Sequence, residues 1–284
     1  HSALYVSRQD ALAVLPGLPR LYSEPFADSS QIPTFLVSRL AREHVVVTLS
    51  GDAGDELFAG YGRYRLADRA WRRMTRMPQG LRKLAAAGLT AVSPAAWNRC
   101  LAPVQRLLPA HRSSTRWGDS LHKGAALLEA RSATDLYRLL VSTWPDPASV
   151  VIGGTEPATV LTDGASQPAA ESFVHRMMAL DMLSYLPDDI LCKVDRAAMG
   201  VSLETRVPML DHRVVEFAWS LPIDYKLRAG VSKWALREVL YRHVPRELVE
   251  RPKMGFGIPL HDWLRSSLRP WAEKLLAPDR LRQE

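Results

Sequence analysis

The chain has 284 residues, 47% hydrophobic and 24% charged, the balance of a globular protein with a buried core. General disorder is excluded, and no apolar run of about 18 residues predicts a membrane span. The length allows one large domain or two modest ones. Because His1 opens the chain without a basic and apolar leader, no secretory signal is expected.

Cysteine and histidine usage excludes two further classes of protein. Only Cys100 and Cys192 occur, too few for a disulfide scaffold, so a cytoplasmic setting and two small core residues are expected. The eight histidines show no HxxxH spacing and the cysteines no CxxC spacing, so no zinc site is predicted.

Basic residues are concentrated in one segment of a chain whose formal net charge is +7. Between Tyr61 and Lys83 the only acid is Asp68. The basic residues there are Arg63, Arg65, Arg69, Arg72, Arg73, Arg76, Arg82 and Lys83. No recognisable nucleic-acid module accompanies them, so we expect a solvated helix face or a partner surface, with neither nucleic acid nor membrane as partner.

The first predicted elements are two helices and a strand. Ser7 is a good N-cap, with Asp10 three residues later. Pro33 stands in the first turn of a second helix, whose apolar face includes Leu36. The run 44–49 is rich in β-branched residues without alternation, which predicts a strand buried on both faces of a parallel sheet.

Helices dominate the remainder, interrupted by a proline- and glycine-rich surface excursion over residues 144–168. The apolar periodicity predicts helices near 63–76, 79–91, 118–130, 132–142, 171–186, 188–199, 211–219 and 232–243. In the last of these, Trp234, Val239 and Leu240 are expected to pack inside.

The expected fold class is α/β. One strand cannot form a sheet, and residues 3–6 offer only a weak second strand. The domain is therefore either mostly helical or has part of its sheet upstream of His1, and the sequence favours the second. Residues 1–75 would form the remainder of a parallel nucleotide-binding core, and residues 76–284 a mostly helical part of the same domain.

The strongest local signal is the segment 47–61, VTLSGDAGDELFAGY. A strand runs into a tight turn and a helix begins at once, and open α/β sheets bind ligands at the carboxyl ends of their strands. Two glycines would let a ligand approach the backbone. Three acids, Asp52, Asp55 and Glu56, would repel bare phosphate but accept phosphate that arrives with Mg²⁺. The alternative, that the acids only complement a helix dipole, is less favoured.

Several motifs in this order resemble one family. SGDAGDELFAGY at 50–61 resembles the second nucleotide-site motif in the synthetase domain of glutamine-hydrolysing asparagine synthetases. LPDDILCKVDRAAMGVSLETRVPMLD at 186–211 is similar to that domain's central helical signature. RPKMGFGIP at 251–259 resembles its lysine loop, and EPFAD at 24–28 and IPT at 32–34 are similar as well.

The resemblance implies an ATP pyrophosphatase-type domain, related to the adenine nucleotide α-hydrolases. It would use ATP to adenylate a carboxylate, normally that of aspartate, and ammonia from a glutaminase domain would then give the amide. By position, Ser50 and Gly51 would meet the AMP part of ATP, and Asp55 would hold Mg²⁺. Asp52 and Lys253 would be catalytic, the lysine stabilising charge that develops on the reacting groups.

Two departures from the family indicate a C-terminal piece that is inactive by itself. The primary Ser-Gly-Gly-x-Asp-Ser pyrophosphate loop is missing, and so is the amidotransferase half with its N-terminal cysteine. Two alternatives stay open: a relative acting on another carboxylate, as β-lactam synthetases do, and a non-catalytic interaction fragment. A homodimer also stays open.

The charged residues of the central signature have two interpretations. They could line the substrate pocket, or they could form a buried ion network that joins two helices, and the network is favoured. The residues concerned are Lys193, Asp195, Arg196, Glu204 and Arg206.

Overall fold

The computed structural model describes residue 3 and residues 5–105, 117–144, 146–250 and 257–282. It shows a mostly helical α/β architecture. The first helices are α1 (Arg8–Val14), α2 (Leu18–Tyr22), α3 (Gln31–Arg42), α4 (Gly54–Leu57), α5 (Gly62–Met74), α6 (Gln79–Thr90), α7 (Pro94–Gln105), α8 (Trp117–Leu128) and α9 (Ala133–Val141). The later helices are α10 (Phe173–Leu183), α11 (Cys192–Met199), α12 (His212–Ser220), α13 (Ile223–Lys226), α14 (Trp234–Leu240), α15 (Arg246–Val249), α16 (Leu260–Arg265), α17 (Arg269–Leu275) and α18 (Pro278–Leu281).

The strands are short. They are β1 (Val47–Leu49), β2 (Glu204–Arg206), β3 (Leu227–Arg228) and β4 (Val231–Ser232). A π-helical turn, Leu186–Leu191, leads directly into α11. Among the described residues no helix has the length and apolar character needed to cross a lipid bilayer.

Most predicted helices form close to their predicted bounds, and α1 has the predicted N-cap. The Ser7 hydroxyl accepts a hydrogen bond from the Asp10 N–H at 3.2 Å, and the Asp10 carboxylate accepts one from the Ser7 N–H at 2.9 Å. In the described residues of the excursion at 144–168, the regular structure consists of two short 3₁₀ turns. Residues 3, 5 and 6 belong to no strand, and residue 4 lies outside the described residues.

The chain folds as two compact units. The first comprises residues 1–53, 186–215 and 238–284, and the second residues 54–185 and 216–237. These two units do not test the predicted division of the synthetase domain at residue 75, which stays a prediction.

The first unit contains a parallel pair of strands, β1 and β2. Local sequence patterns did not predict this pairing because it depends on contacts between distant segments. Val47 pairs with Glu204 and Leu49 with Arg206. Helix α3 packs against α11, and Ile32 and Leu36 of α3 join Ala11 and Val14 of α1 in a buried cluster. The pairing joins segments more than 150 residues apart and fixes where the chain turns after β1.

The expectation that β1 is buried on both faces is wrong. Val46 is 61% exposed and Leu49 is 70% exposed. Within the described residues β2 is the only strand that pairs with β1, so one edge and much of the surface of β1 have no covering neighbour. The β-branched run therefore predicts the strand correctly, but it predicts greater burial of that strand than the structure shows.

Three expected core side chains are also found at the surface. Cys100 is exposed on α7, and Val239 and Leu240 are exposed in the last turn of α14. Cys192 is partly buried. Trp234 does pack, with its ring edge-on to Tyr225 at a centroid distance of 5.9 Å.

The second unit has a core built from α5, α9 and α10 around a buried carboxylate. Asp181 on α10 is 1% exposed by its side chain. It accepts hydrogen bonds from the hydroxyls of Tyr64 and Tyr137 and an ion-pair contact from Arg63 at 2.6 Å. Burial, followed by the charge of Asp181, raises the pKa of both tyrosines well above the ordinary range. They therefore stay protonated and act as donors.

Replacing this carboxylate is expected to destabilise the chain strongly. Asp181→Asn leaves three converging donors facing a neutral amide, and the broken buried pair should cost on the order of 3 kcal/mol of unfolding free energy. Urea denaturation measures the difference. Glu273→Gln, which breaks the exposed Arg269–Glu273 pair, is the control and should change nothing measurable. Equal stability of Asp181→Asn and wild type would show that the network is dispensable.

Candidate functional site

The turn after β1 holds Ser50 and Asp52 in a fixed arrangement. The Ser50 N–H donates to the Arg206 carbonyl at 2.8 Å, which extends the pairing with β2 one residue beyond the strand. The Ser50 hydroxyl donates to the Asp52 carboxylate, and the Asp52 N–H donates back to the Ser50 hydroxyl oxygen at 3.3 Å. The two predicted site residues therefore orient each other at the carboxyl end of the strand.

Both residues line a cavity of about 460 Å³ in the first unit. Its other walls come from β1, β2, α3 and α11, including Thr205 and Lys193. The volume lies within the range of small-molecule sites. This cavity is named here the Ser50 cavity.

Backbone strain in the motif falls on alanines. Ala53 has φ of 66° and Ala59 has φ of 52°, the left-handed region, which costs a residue with Cβ about 1–2 kcal/mol. Both alanines are almost completely buried. Gly51 is different: a Cβ there would meet nothing within 4 Å. The glycine thus leaves open space beside the backbone, in accord with the close approach expected for a ligand. Backbone strain of the kind found at the two alanines clusters at functional sites.

A lysine that the sequence analysis did not single out holds Asp55. Lys233 Nζ lies 3.1 Å from the Asp55 carboxylate, with both side chains mostly buried. The lysine backbone is held as well, because its N–H donates to the Phe58 carbonyl at 3.0 Å and its φ is 55°. The sequence carried one signal: Lys233 falls in the first turn of the helix predicted near 232–243, where the helix dipole disfavours a cation and a nearby carboxylate would compensate for it.

Gly60 makes room for this ion pair. A Cβ at position 60 would overlap the Asp55 carboxylate and the Lys233 side chain. At Gly54 the nearest atom to such a Cβ would be Lys233 Nζ, at 3.8 Å. The glycine at 60 is therefore required by the pair, and the one at 54 is not.

Glu56 has a different environment from its two acidic neighbours in sequence. It is 1% exposed and accepts a hydrogen bond from the Tyr61 hydroxyl at 2.7 Å. Burial raises the pKa of Glu56 above its usual value. Glu56 therefore supports the second unit from inside, whereas Asp52 lines the Ser50 cavity and Asp55 pairs with a cation.

The ion-network interpretation of the central signature holds for Lys193. Its ammonium lies 2.5 Å from Asp28 and 3.4 Å from Asp189, and its side chain is largely buried. Burial alone would raise the pKa of Asp28, but hydrogen bonds from Lys193 and Ser30 outweigh it and lower that pKa. For Asp189 burial dominates and raises the pKa.

The remaining charges of the signature lie outside that network. Asp195 and Arg196 are exposed on α11. Arg206 pairs with Glu204 at 2.7 Å in an exposed bridge along β2. The network interpretation is therefore too broad for these four residues. Lys253 and its neighbours at 251–256 lie outside the described residues, so the lysine loop stays a prediction.

The basic segment is mostly a solvated helix surface, as expected. Arg69, Arg72, Arg73, Arg76 and Lys83 are exposed. Three of the eight basic residues are not exposed. Arg82 is buried and donates to the Ala130 carbonyl at 2.9 Å, Arg63 pairs with Asp181, and Arg65 donates to the Gly230 carbonyl.

The described acidic side chains do not by themselves form a complete site for a metal ion. The described residues contain no group of three or more His, Cys, Asp or Glu side chains that could hold a metal. Asp55 offers one carboxylate, already paired with Lys233. Magnesium binds such sites through one or two carboxylates plus phosphate oxygens and water, so the donor set agrees with a metal that arrives on a nucleotide.

Comparison with known proteins decides the family. The family model described as asparagine synthase matches residues 1–284. The chain belongs to the asparagine synthase family. It is 36% identical over 277 residues to a Mycobacterium tuberculosis protein named as a glutamine-hydrolysing asparagine synthetase, covering 96% of this chain and 39% of that protein. It is 30% identical over 271 residues to a glutamine-hydrolysing asparagine synthetase of Bacillus subtilis, covering 95% and 40%.

The chain thus spans about two fifths of the length of these relatives. A shorter match, 32% identical over 134 residues, links it to the asparagine synthetase of Bos taurus, covering 45% of this chain and 24% of that protein. No solved structure matches the chain significantly. The resemblance inferred from the motifs is therefore confirmed at the level of the family.

Substitution of Gly60 by alanine tests the packing around the Asp55–Lys233 ion pair. Gly60→Ala should destabilise the chain by about 1–3 kcal/mol, because overpacking displaces the Asp55 carboxylate or Lys233. Gly62→Ala is the matched control, since a Cβ there would meet nothing within 4 Å, and it should leave the chain as stable as wild type or more so. Urea denaturation of the three proteins gives the comparison, and indistinguishable Gly60→Ala and Gly62→Ala would contradict the packing described.

Proposed function

We propose that this chain is the synthetase portion of an enzyme that forms an amide by adenylating a carboxylate, with aspartate as the carboxylate and asparagine as the product. Family membership supports the reaction class. The observation that carries the proposal is the Asp55–Lys233 pair in the glycine-rich motif. It supplies a carboxylate for a metal and a cation for phosphate in one place.

The reaction balances without a covalent bond to the protein. An aspartate carboxylate oxygen attacks the α-phosphorus of ATP, and the bond from that phosphorus to the bridging oxygen breaks to release pyrophosphate. Ammonia then attacks the acyl carbon, the bond to AMP breaks, and loss of a proton leaves the amide. A loose, highly charged transition state of this kind is stabilised mainly by cations and backbone dipoles.

Each proposed residue has one task in this scheme. Ser50 and Gly51 would contact the AMP part of ATP, where the open space beside Gly51 admits the ligand. Asp52 would act at the reacting carboxylate, oriented by Ser50. Asp55 would hold Mg²⁺, which when bound would neutralise charge on the pyrophosphate. Lys253 would stabilise charge on the reacting phosphoryl and acyl groups.

Lys233 explains why Asp55 should need phosphate in order to bind a metal. Without a ligand the lysine neutralises the carboxylate, and a free cation would have to displace it. Pyrophosphate offers Lys233 a new anionic partner, so the carboxylate becomes free for the metal. We therefore assign Lys233 to the leaving pyrophosphate.

Metal binding should show this dependence on phosphate. In the longer protein, calorimetric titration with Mg²⁺ alone should give no measurable heat, and titration with pyrophosphate in the presence of Mg²⁺ should give binding. Asp55→Asn should weaken that binding at least tenfold. Asp68→Asn, which removes a carboxylate paired with Arg72 on α5, should leave it unchanged. Unchanged affinity in Asp55→Asn would remove the metal assignment.

Lys253 should matter for the synthetase step alone. In the longer protein, Lys253→Ala should lower ammonia-dependent amide formation by orders of magnitude at an unchanged melting temperature, because the cation acts on the reacting groups. Free ammonia should not rescue it. Arg265→Ala on α16, an exposed cation, is the control. Activity of Lys253→Ala within a few-fold of wild type would make the lysine an ordinary loop residue.

The proposed fold of the whole synthetase domain is an adenine nucleotide α-hydrolase-like parallel sheet with further strands beyond β1. The exposed apolar side chains of β1 support it, since they would be covered by such neighbours. The chain by itself is proposed to be inactive, because no segment of it matches the primary pyrophosphate loop. Ammonia would come from a glutaminase portion, and the cytoplasmic setting and a homodimer stay predictions.

A further inference from the structure

A short hairpin presents Lys233 to Asp55. Strands β3 and β4 pair antiparallel, and Ala229 and Gly230 link them. Both linking residues have positive φ, 48° and 82°, which is the conformation that two-residue hairpin turns favour. Lys233 follows β4 directly, so the position of this hairpin determines where the lysine lies.

The hairpin cannot fix its own position. Each strand has two residues, and an isolated two-stranded hairpin is at best marginally stable in water. Lys233 itself has φ of 55°, a strained conformation for a residue with a Cβ. Such a conformation persists only where the surrounding contacts enforce it. Contacts from neighbouring segments must therefore hold the hairpin in order for the lysine to meet Asp55.

Several contacts hold the end of the hairpin that lies next to Lys233. The Lys233 N–H donates to the Phe58 carbonyl at 3.0 Å, and the Arg237 Nε donates to the Ser232 carbonyl at 3.1 Å. The Lys233 ammonium lies 3.1 Å from the Asp55 carboxylate. These contacts act where β4 ends, so the turn at the opposite end of the hairpin depends on a different contact.

Arg65 of helix α5 makes that contact with the turn. Its Nη1 donates to the Gly230 carbonyl, and a hydrogen bond from a charged donor is stronger than one between neutral groups. The side chain is partly buried, and its buried Nε has no hydrogen-bond partner among the described residues. Burial of an unpaired polar atom is costly. The arginine is therefore held at the turn although part of its hydrogen-bonding capacity is lost there.

We propose that Arg65 is a positioning residue for Lys233. Asp55, Phe58 and Arg65 belong to one continuous segment of the second unit, which contacts the lysine ammonium, the lysine backbone and the turn at Gly230. Arg65 fixes the turn against this segment and so keeps the ammonium beside Asp55. Arg65 thereby places the cation that meets the leaving pyrophosphate, a consequence that rests on the proposed function.

Hydrogen exchange tests the positioning on the full 284-residue chain without any ligand. In Arg65→Met the turn loses its anchor, so the Lys233 N–H should exchange about tenfold faster than in wild type. The Leu136 N–H, bonded within the same unit to the Ser132 carbonyl, should keep its rate, which separates a local effect from a loss of global stability.

Two further variants complete the exchange experiment. Arg65→Lys keeps a charged donor and should restore most of the protection of the Lys233 N–H. Arg69→Met, one turn further along α5 at an exposed position, is the matched control and should exchange as wild type does. Near-ultraviolet circular dichroism checks that the variants are folded, and Arg65→Gln gives the same comparison if Arg65→Met does not fold.

Pyrophosphate binding tests whether Arg65 acts through Lys233. In the longer protein with Mg²⁺, calorimetric titration with pyrophosphate should show about fivefold weaker binding in Arg65→Met than in wild type. In a Lys233→Met background the same substitution should change the affinity no further, because its effect depends on that lysine. An arginine that only stabilised the fold would weaken binding equally in both backgrounds.

Exchange of the Lys233 N–H at the wild-type rate in Arg65→Met would overturn the proposal, as would a failure of Arg65→Lys to restore protection. Equal losses of pyrophosphate affinity in the two backgrounds would also overturn it. Wild-type affinity in Lys233→Met would instead remove the lysine from the proposed function, and the exchange rates would still decide whether Arg65 positions it.

Discussion

The ion pair between Asp55 and Lys233 is the constraint on which the rest of the motif depends. It joins the first turn of α4 to the residue before α14 at 3.1 Å, and the bond from the Lys233 N–H to the Phe58 carbonyl secures the same connection through the backbone. Gly60 is present because any larger residue would enter this space. The strained backbone at Ala59 lies in the same segment, and such strain persists only where surrounding contacts hold it.

The three acids of the motif show how environment divides similar residues between tasks. Glu56 is buried with Tyr61 and supports the core. Asp55 is neutralised by a lysine, and Asp52 shares a hydrogen bond with Ser50 beside a cavity. Sequence spacing cannot separate these roles, because all three residues lie within one turn. Burial and partner choice separate them: the partner of Asp55 is the distant Lys233, whereas Glu56 and Asp52 have partners within five residues.

Much of the architecture follows from local sequence patterns. Helices such as α1, α5 and α6 were predictable from caps and apolar periodicity, because these signals lie within a few residues. The pairing of β1 with β2 was not, since it depends on contacts between distant segments. The exposure of Val46 and Leu49 was missed for a related reason: β-branched composition indicates a strand and says nothing about how many neighbours it has.

Some residues of the candidate site were likewise predictable from local sequence, and others were not. Ser50 and Asp52 were identified by motif, and they do lie together at the end of β1. Lys233 was missed because its partner is 178 positions away in sequence. Lys193 was correctly interpreted as part of an ion network. The same interpretation was wrong for Asp195 and Arg196, because these residues lie on the exposed side of the same helix.

The central claim, that this family member joins a carboxylate to AMP before amide formation, is tested most directly by following an oxygen atom. Aspartate labelled with ¹⁸O in its side-chain carboxylate is supplied to the longer protein with ATP, Mg²⁺ and ammonia. Mass spectrometry then measures the ¹⁸O content of each product. Adenylation requires one ¹⁸O atom in AMP for each asparagine formed and none in pyrophosphate. Label in pyrophosphate or inorganic phosphate, or asparagine formed with unlabelled AMP, would contradict the account.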